Sequence, residues 1–211
     1  GDAKKNNDFI TATQKYLETY SSKLNMQMLQ KKEPQFLAEI KKIHSDLEKN
    51  LDENADKIGA DTDVIKLKKD ELTTNILTFL IQYQSTHGQV TGNPTFKVSK
   101  TFSDYEKSLT KNNDRMVKEL PVYRNYLLNK VGQDFQTFAE KQQDKNTASM
   151  SAVFARFLAT QKEMSQTTKD YLLAFVIAKF DLNPYTGEVD KVKKVSDEFI
   201  KDSEVKKDLT S

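Results

Sequence analysis

The chain has 211 residues, and its 33 Lys and Arg stand against 31 Asp and Glu, a formal charge of only +2. With no Cys, no Trp, two His and six Gly, it excludes disulfides, thiolate metal sites, Cys nucleophiles and multi-His relays, and it leaves almost no room for Gly-rich phosphate loops. The balanced charge argues against a general nucleic-acid or membrane-surface binder, and the length suits one domain or two small ones.

Apolar residues recur every three or four positions nearly throughout, which predicts helices. Over 8–30 the stripe is Phe9, Ile10, Thr13, Tyr16, Leu17, Tyr20, Leu24 and Met28. Pro34 starts a second helix, where its missing N–H costs nothing, with Phe36, Leu37, Ile40, Ile43, Leu47 and Leu51 inward. Residues 52–63 read as a connection in which Gly59 stops one helix and Asp61 or Asp63 caps the next. The third helix carries Ile65, Leu72, Ile76, Leu77, Phe79, Leu80 and Tyr83, and ends near His87 and Gly88.

Gly88, Gly92 and Pro94 mark the loop 87–99. It separates an N-terminal helical subdomain of three long helices, 1–90, from a C-terminal helical subdomain, 91–211, unless the two form one continuous domain. Ser103 and Glu106 match a capping box, so a short helix with Phe102, Tyr105 and Leu109 follows, interrupted at Asn112, Asn113 and Asp114. Pro121 opens a helix with Tyr123, Tyr126, Leu127, Phe135 and Phe138 inward, and a turn is expected at 144–147. Met150, Val153, Phe154, Phe157 and Leu158 make the next stripe. Ser165 to Thr168 cap the run 171–180, which is apolar on all faces and predicts the most buried helix, with Phe175 against Phe135, Phe154 or Phe157. A turn at 182–187, a helix at 189–200 and a short last helix from Ser203 complete an all-α irregular bundle of about eight helices arranged as helical hairpins. No fixed-period repeat occurs, and no run of about 18 apolar residues provides a transmembrane helix. Gly1, ahead of Asp2-Ala3-Lys4-Lys5, reads as the remnant of a tag, which leaves room for a signal peptide, a lipid-anchor cysteine or a further domain to have been cut away.

Candidate sites are few. Asp52, Asn54, Asp56 and Asp63 hold calcium-loop spacing, but Lys57 stands where the sixth position needs Gly, so no calcium is expected. His44 lies beside Ile43 and Leu47 without a metal-spaced partner, and His87 reads as a helix C-terminal residue bonding the last carbonyls. Asp197 and Glu198 point in different directions on a helix, and the lysines at 66, 68, 69, 191, 193 and 194 read as solvated faces. Tyr83, Phe96 and Tyr185 fall at or beside turns, where a ring can anchor a partner, although core packing is the default. No catalytic, cofactor-binding or metal residue is assigned, and no cofactor is expected.

The order Phe102, Tyr105, Leu109, then Asn112-Asn113, then Leu120, Tyr123-Arg124 and Tyr126-Leu127, then Asp170-Tyr171-Leu172-Leu173, then Val189, Val192, Phe199 and Asp202-Ser203-Glu204 resembles a known helical region. It is the region preceding the thioredoxin domain in exported TlpA-like thiol–disulfide oxidoreductases of Bacteroidetes; Phe36-Leu37 and the helix Phe79-Leu80-x-x-Tyr83 suit it too. The resemblance implies a non-catalytic accessory part, periplasmic or lipid-anchored at the cell surface, that positions an adjacent thioredoxin-like domain or binds its protein client. Such proteins carry Trp-Cys-x-x-Cys; this chain has neither residue type, so no catalytic residue transfers. Two other readings stand beside it: a stand-alone secreted or surface protein-binding module, and an all-α hydrolase using carboxylates that the fold brings together.

Overall fold

The computed structural model describes residues 2–142 and 149–181. Among them are nine α-helices and one π-helical turn, with no strand, so the all-α expectation holds. The chain separates into two compact units that divide between Lys111 and Asn112, not near residue 90.

Unit 1 contains α1 (Asp2–Ser21), α2 (Met26–Gln30), α3 (Glu33–Ile58), α4 (Thr62–Val90) and α5 (Lys100–Ser108). The expected single helix over 8–30 is two helices. Asn25 is extended, at φ −125 and ψ −176, and its side-chain oxygen accepts from the N–H groups of Gln27 and Met28. That local bond competes with helix continuation and restarts the helix at Met26. Helix α3 runs on through residues 52–58 before Gly59 ends it in the left-handed region at φ 77, which a side chain disfavours.

Pairs across the hairpin fix its sense. Asp52 meets Lys69 at 2.7 Å and Phe36 stacks on Tyr83 with centroids 3.9 Å apart, so α3 and α4 run antiparallel. Helix α1 lies antiparallel on α3 as well. Asn6 bonds Asp61 beyond the far end of α3, while Tyr20 reaches Asp46.

Unit 1 packs around Phe9, Leu29, Phe36, Ile40, Leu51, Ile76, Leu77, Leu80, Tyr83 and Phe102, none more than 1 % exposed. Phe102 explains the position of the division. Its ring lies 6.2 Å from Phe36 and 5.8 Å from Tyr83, tying α5 into unit 1. The cap of α5 is Ser99, not Ser103: Ser99 Oγ accepts from the Phe102 N–H at 3.3 Å.

Unit 2 contains α6 (Asn113–Glu119), α7 (Pro121–Glu140), α8 (Met150–Ala159), α9 (Gln166–Val176) and the π-helical turn Ile177–Asp181. Helix α6 packs on α7 and α9, and α8 on α7 and α9. Pro121 opens α7, and Ser149 and Ser165 cap α8 and α9 through their hydroxyls. Phe135, Phe138, Phe154 and Phe157 form a cluster of mostly edge-on rings at 5.1–6.0 Å.

The run 171–180 is not buried on every side. Leu172, Leu173, Val176 and Ile177 are buried, while Phe175 is half-buried and Phe180 is half-exposed. Lys179 explains the difference: its ammonium lies 5.7 Å from the Phe175 ring and 5.6 Å from that of Phe180, so this face stays near water to solvate the charge. The turns expected at 144–147 and 182–187, and the helices expected from Val189 and Ser203, lie outside the described residues.

Candidate functional site

The break between α1 and α2 opens a cleft of about 430 Å³ over α3, entirely within unit 1. Tyr20 and Lys23 stand on one side, Asn25, Gln27 and Met28 on the start of α2, and Lys31, Glu39, Lys42, Ile43 and Asp46 on the facing wall. Met28 and Ile43 are buried and form an apolar floor.

Charge is paired along most of the wall. Lys31 Nζ meets Glu39 at 2.5 Å and Lys42 Nζ meets Asp46 at 3.3 Å. Tyr20 donates its hydroxyl to Asp46 at 3.0 Å and shares a 3.4 Å contact with Tyr16. Those two hydrogen bonds, to Tyr16 first and Asp46 second, raise the Tyr20 phenol well above its ordinary value. The bond from Tyr20, helped by Lys42, holds the Asp46 carboxyl below the usual carboxylate range. Lys23 differs from its neighbours. Its ammonium lies 4.7 Å from the Tyr20 ring centroid; it makes no contact ion pair among the described residues, but its charge helps hold the Asp46 carboxyl down.

Both histidines are engaged in the fold. His87 is buried; its Nδ1 donates to the Leu29 carbonyl at 2.7 Å and its ring lies 4.5 Å from Tyr83 and 4.4 Å from Phe96. It therefore binds a carbonyl of α2, not the last carbonyls of its own helix; its own carbonyl accepts from Thr91. His44 is held between the Tyr105 hydroxyl, 3.3 Å from Nδ1, and Glu48, 3.2 Å from Nε2. Burial lowers its pKa against the opposing pull of Glu48.

Asp52, Asn54 and Asp56 sit within helix α3, where the calcium-loop spacing cannot wrap a cation, and Asp52 takes Lys69. Lys68 pairs with Glu71 at 2.8 Å. Tyr83 is fully buried and donates to the Lys31 carbonyl at 2.8 Å, while Phe96 is half-buried against it. The buried carboxylates Asp70, Glu106 and Asp170 lie on three different helices, and Asp170 accepts from Gln166 at 2.7 Å. Asp197, Glu198, Tyr185 and the lysines at 191, 193 and 194 lie outside the described residues. Among the described residues, no three or more His, Cys, Asp or Glu gather as a metal-holding group, and no helix is long and apolar enough to cross a membrane.

In unit 2 several of the residues that carry the resemblance meet one another. Tyr123 donates to the Asn113 side-chain oxygen. The Arg124 guanidinium donates to the carbonyls of Val117 at 2.6 Å and Lys118 at 2.5 Å and lies 5.8 Å from the Tyr171 ring. Leu120, Tyr126, Leu127, Leu172 and Leu173 are buried around them. Asn113 also donates to Thr168, which together with Ser165 bonds Asp114, closing the start of α6 onto the start of α9. No family model, curated protein or solved structure matches the chain.

Proposed function

We propose that the chain is the non-catalytic helical accessory region of an exported TlpA-like thiol–disulfide oxidoreductase, where it positions the redox domain or engages its protein client. The observation that carries the reading is the meeting of Asn113, Tyr123, Arg124 and Tyr171 in unit 2. The spaced aromatic and polar residues behind the resemblance are the groups that hold helices α6, α7 and α9 together, as expected of a fold signature without catalytic residues. Supporting it, His44 and His87 each spend Nδ1 on an inter-helix contact, and no thiol is present to exchange disulfides.

The test is the reading frame beyond Ser211 together with a deletion. A following thioredoxin-like domain with Trp-Cys-x-x-Cys, whose client profile changes when 1–211 is removed, supports the proposal. A frame that stops without such a domain favours the stand-alone secreted protein-binding module. Unchanged clients and unchanged melting temperature after the deletion remove the accessory role.

A further inference from the structure

We infer that the cleft at the α1–α2 break is a binding site for a carboxylate carried on an apolar body of about dipeptide size. The inference stands on unit 1 alone and does not depend on any redox domain. The volume, about 430 Å³, falls in the range of small-ligand sites, about 300–1,000 Å³.

Charge selects the ligand. Lys23, Lys31 and Lys42 face Glu39 and Asp46, so one positive charge is in excess. Both carboxylates already accept ammonium groups, and Asp46 also accepts the Tyr20 hydroxyl. A cation entering the cleft would find no acid left to neutralise it. An entering carboxylate finds Lys23, which lies over the Tyr20 ring and near enough to Asp46 for their charges to interact, but makes no hydrogen bond to it, so its N–H donors remain open. It also finds Lys42, whose side chain is 78 % exposed and keeps donors beyond its contact to Asp46.

The floor selects the rest of the molecule. Most of the surface lining the cleft is apolar; Met28, Ile43 and the Tyr20 ring are among the groups that line it, although Met28 and Ile43 are themselves nearly covered. A bare inorganic anion would leave this surface wet, whereas an anion with an aliphatic side chain buries it. The same chemistry comes from a free carboxylic acid or from the C-terminus of a peptide.

The test is a two-dimensional NMR titration of the chain with N-acetyl-leucine and, separately, with an acetylated tripeptide ending in a free leucine carboxylate. N-acetyl-leucinamide and inorganic phosphate serve as controls. The expected result is saturable shifts in the millimolar range at Tyr20, Asn25 and Met28 with either or both acids. Saturation with N-acetyl-leucine assigns a free acid, and saturation with the tripeptide alone assigns a peptide C-terminus. Lys23 is exposed, so Lys23→Gln leaves the fold intact, and it should weaken the affinity about three- to fivefold, the scale of one solvent-exposed ion pair. The proposal is overturned if neither acid saturates, if the amide or phosphate acts on the same residues with equal affinity, or if Lys23→Gln changes nothing.

Discussion

His87 Nδ1 donates to the carbonyl of Leu29, 58 positions earlier, at 2.7 Å. Leu29 belongs to a five-residue helix, too short to hold itself together by its own hydrogen bonds. The bond, with the Tyr83 hydroxyl on the carbonyl of Lys31 just past the helix end at 2.8 Å, clamps the C-terminal end of α2 to α4. His87→Phe keeps a ring against Tyr83 and Phe96 but leaves a buried carbonyl without its donor. The expected loss is about 1–3 kcal/mol, read by urea denaturation followed by circular dichroism. Hydrogen exchange should show the loss concentrated at α2.

Ser99 both donates to Glu33 Oε2 at 2.5 Å and accepts from the Phe102 N–H. Its own N–H bonds Glu33 Oε1 at 2.7 Å, so one side chain at the start of α3 also anchors the start of α5. Ser99→Ala should cost about 0.5–2 kcal/mol, the range of a lost helix cap. Ser103→Ala, one turn inside the helix, should stay within about 0.5 kcal/mol. Equal losses at both positions would favour a helix start at Ser103.

The sequence shows this helix but not its start, and the reason is tertiary. Ser103 and Glu106 have the spacing of a capping box, yet the burial of Phe102 against Phe36 and Tyr83 requires a helix already formed one turn earlier. Where a local need decides, as for Pro121, Gly59 and Ser165, the residue type alone tells the position. Helix α6 has only seven residues, too few to display a period. The cleft escapes the sequence for a related reason. Tyr20, Leu24 and Met28 keep helical spacing straight through the break, and Lys23, Lys31 and Lys42 have the pattern of a solvated face. Only the polar stretch Ser21-Ser22-Lys23, followed by Asn25, signals an interruption there.

The stability of unit 1 should depend on pH at both ends of the range. His44 faces Tyr105 from α5 and Glu48 from its own helix, with Lys41 5.1 Å from the Tyr105 ring centroid. Its folded pKa is lowered by burial. Above about pH 6.5 the ring is neutral in both states and stability is complete; below it the unfolded chain takes up the proton first and stability falls. His44→Gln should therefore flatten the decline that begins below about pH 6.5. The phenols of Tyr83 and Tyr105 are pushed up to about 12, mainly by burial. An unfolded phenol titrates near 10, so their contribution is complete below that and is lost as pH rises through 12. Phenolate absorption against pH, in the folded and the urea-unfolded chain, measures both.

Phe36 and Phe175 should respond very differently to truncation. Phe36 is fully buried between Phe79, Tyr83 and Phe102, so Phe36→Ala should cost about 3–5 kcal/mol. Phe175 is half-buried with Lys179 over its ring, and Phe175→Ala should cost no more than about 1–2 kcal/mol. Because the residues lie in different units, the comparison is best read by hydrogen exchange within each unit. A loss at Phe175 as large as that at Phe36 would restore the fully buried helix expected from the sequence.

Glycine substitutions in two helices should change stability with opposite sign. Gly→Ala inside a helix ordinarily stabilises by about 0.5–1 kcal/mol, because Ala loses less backbone entropy. Gly132 on α7 meets that condition, since a Cβ there has nothing within 4 Å. Gly88 on α4 does not. A Cβ there would lie 2.5 Å from the Asn93 carbonyl oxygen and 3.3 Å from the Phe96 Cβ. The chain has turned back at Gly92, at φ 70, and Asn93 donates its N–H to the Gly88 carbonyl at 2.7 Å. The obstructing atom is backbone, so it cannot yield by a rotamer change. Moving it would pull Phe96 from His87 and loosen the approach to Ser99 and α5. Gly88→Ala should cost about 1–3 kcal/mol, in the range of overpacking, while Gly132→Ala gains by the helix-propensity increment. Paired urea midpoints decide it: a stabilising Gly88→Ala would mean that the 93–96 segment does not rest on α4.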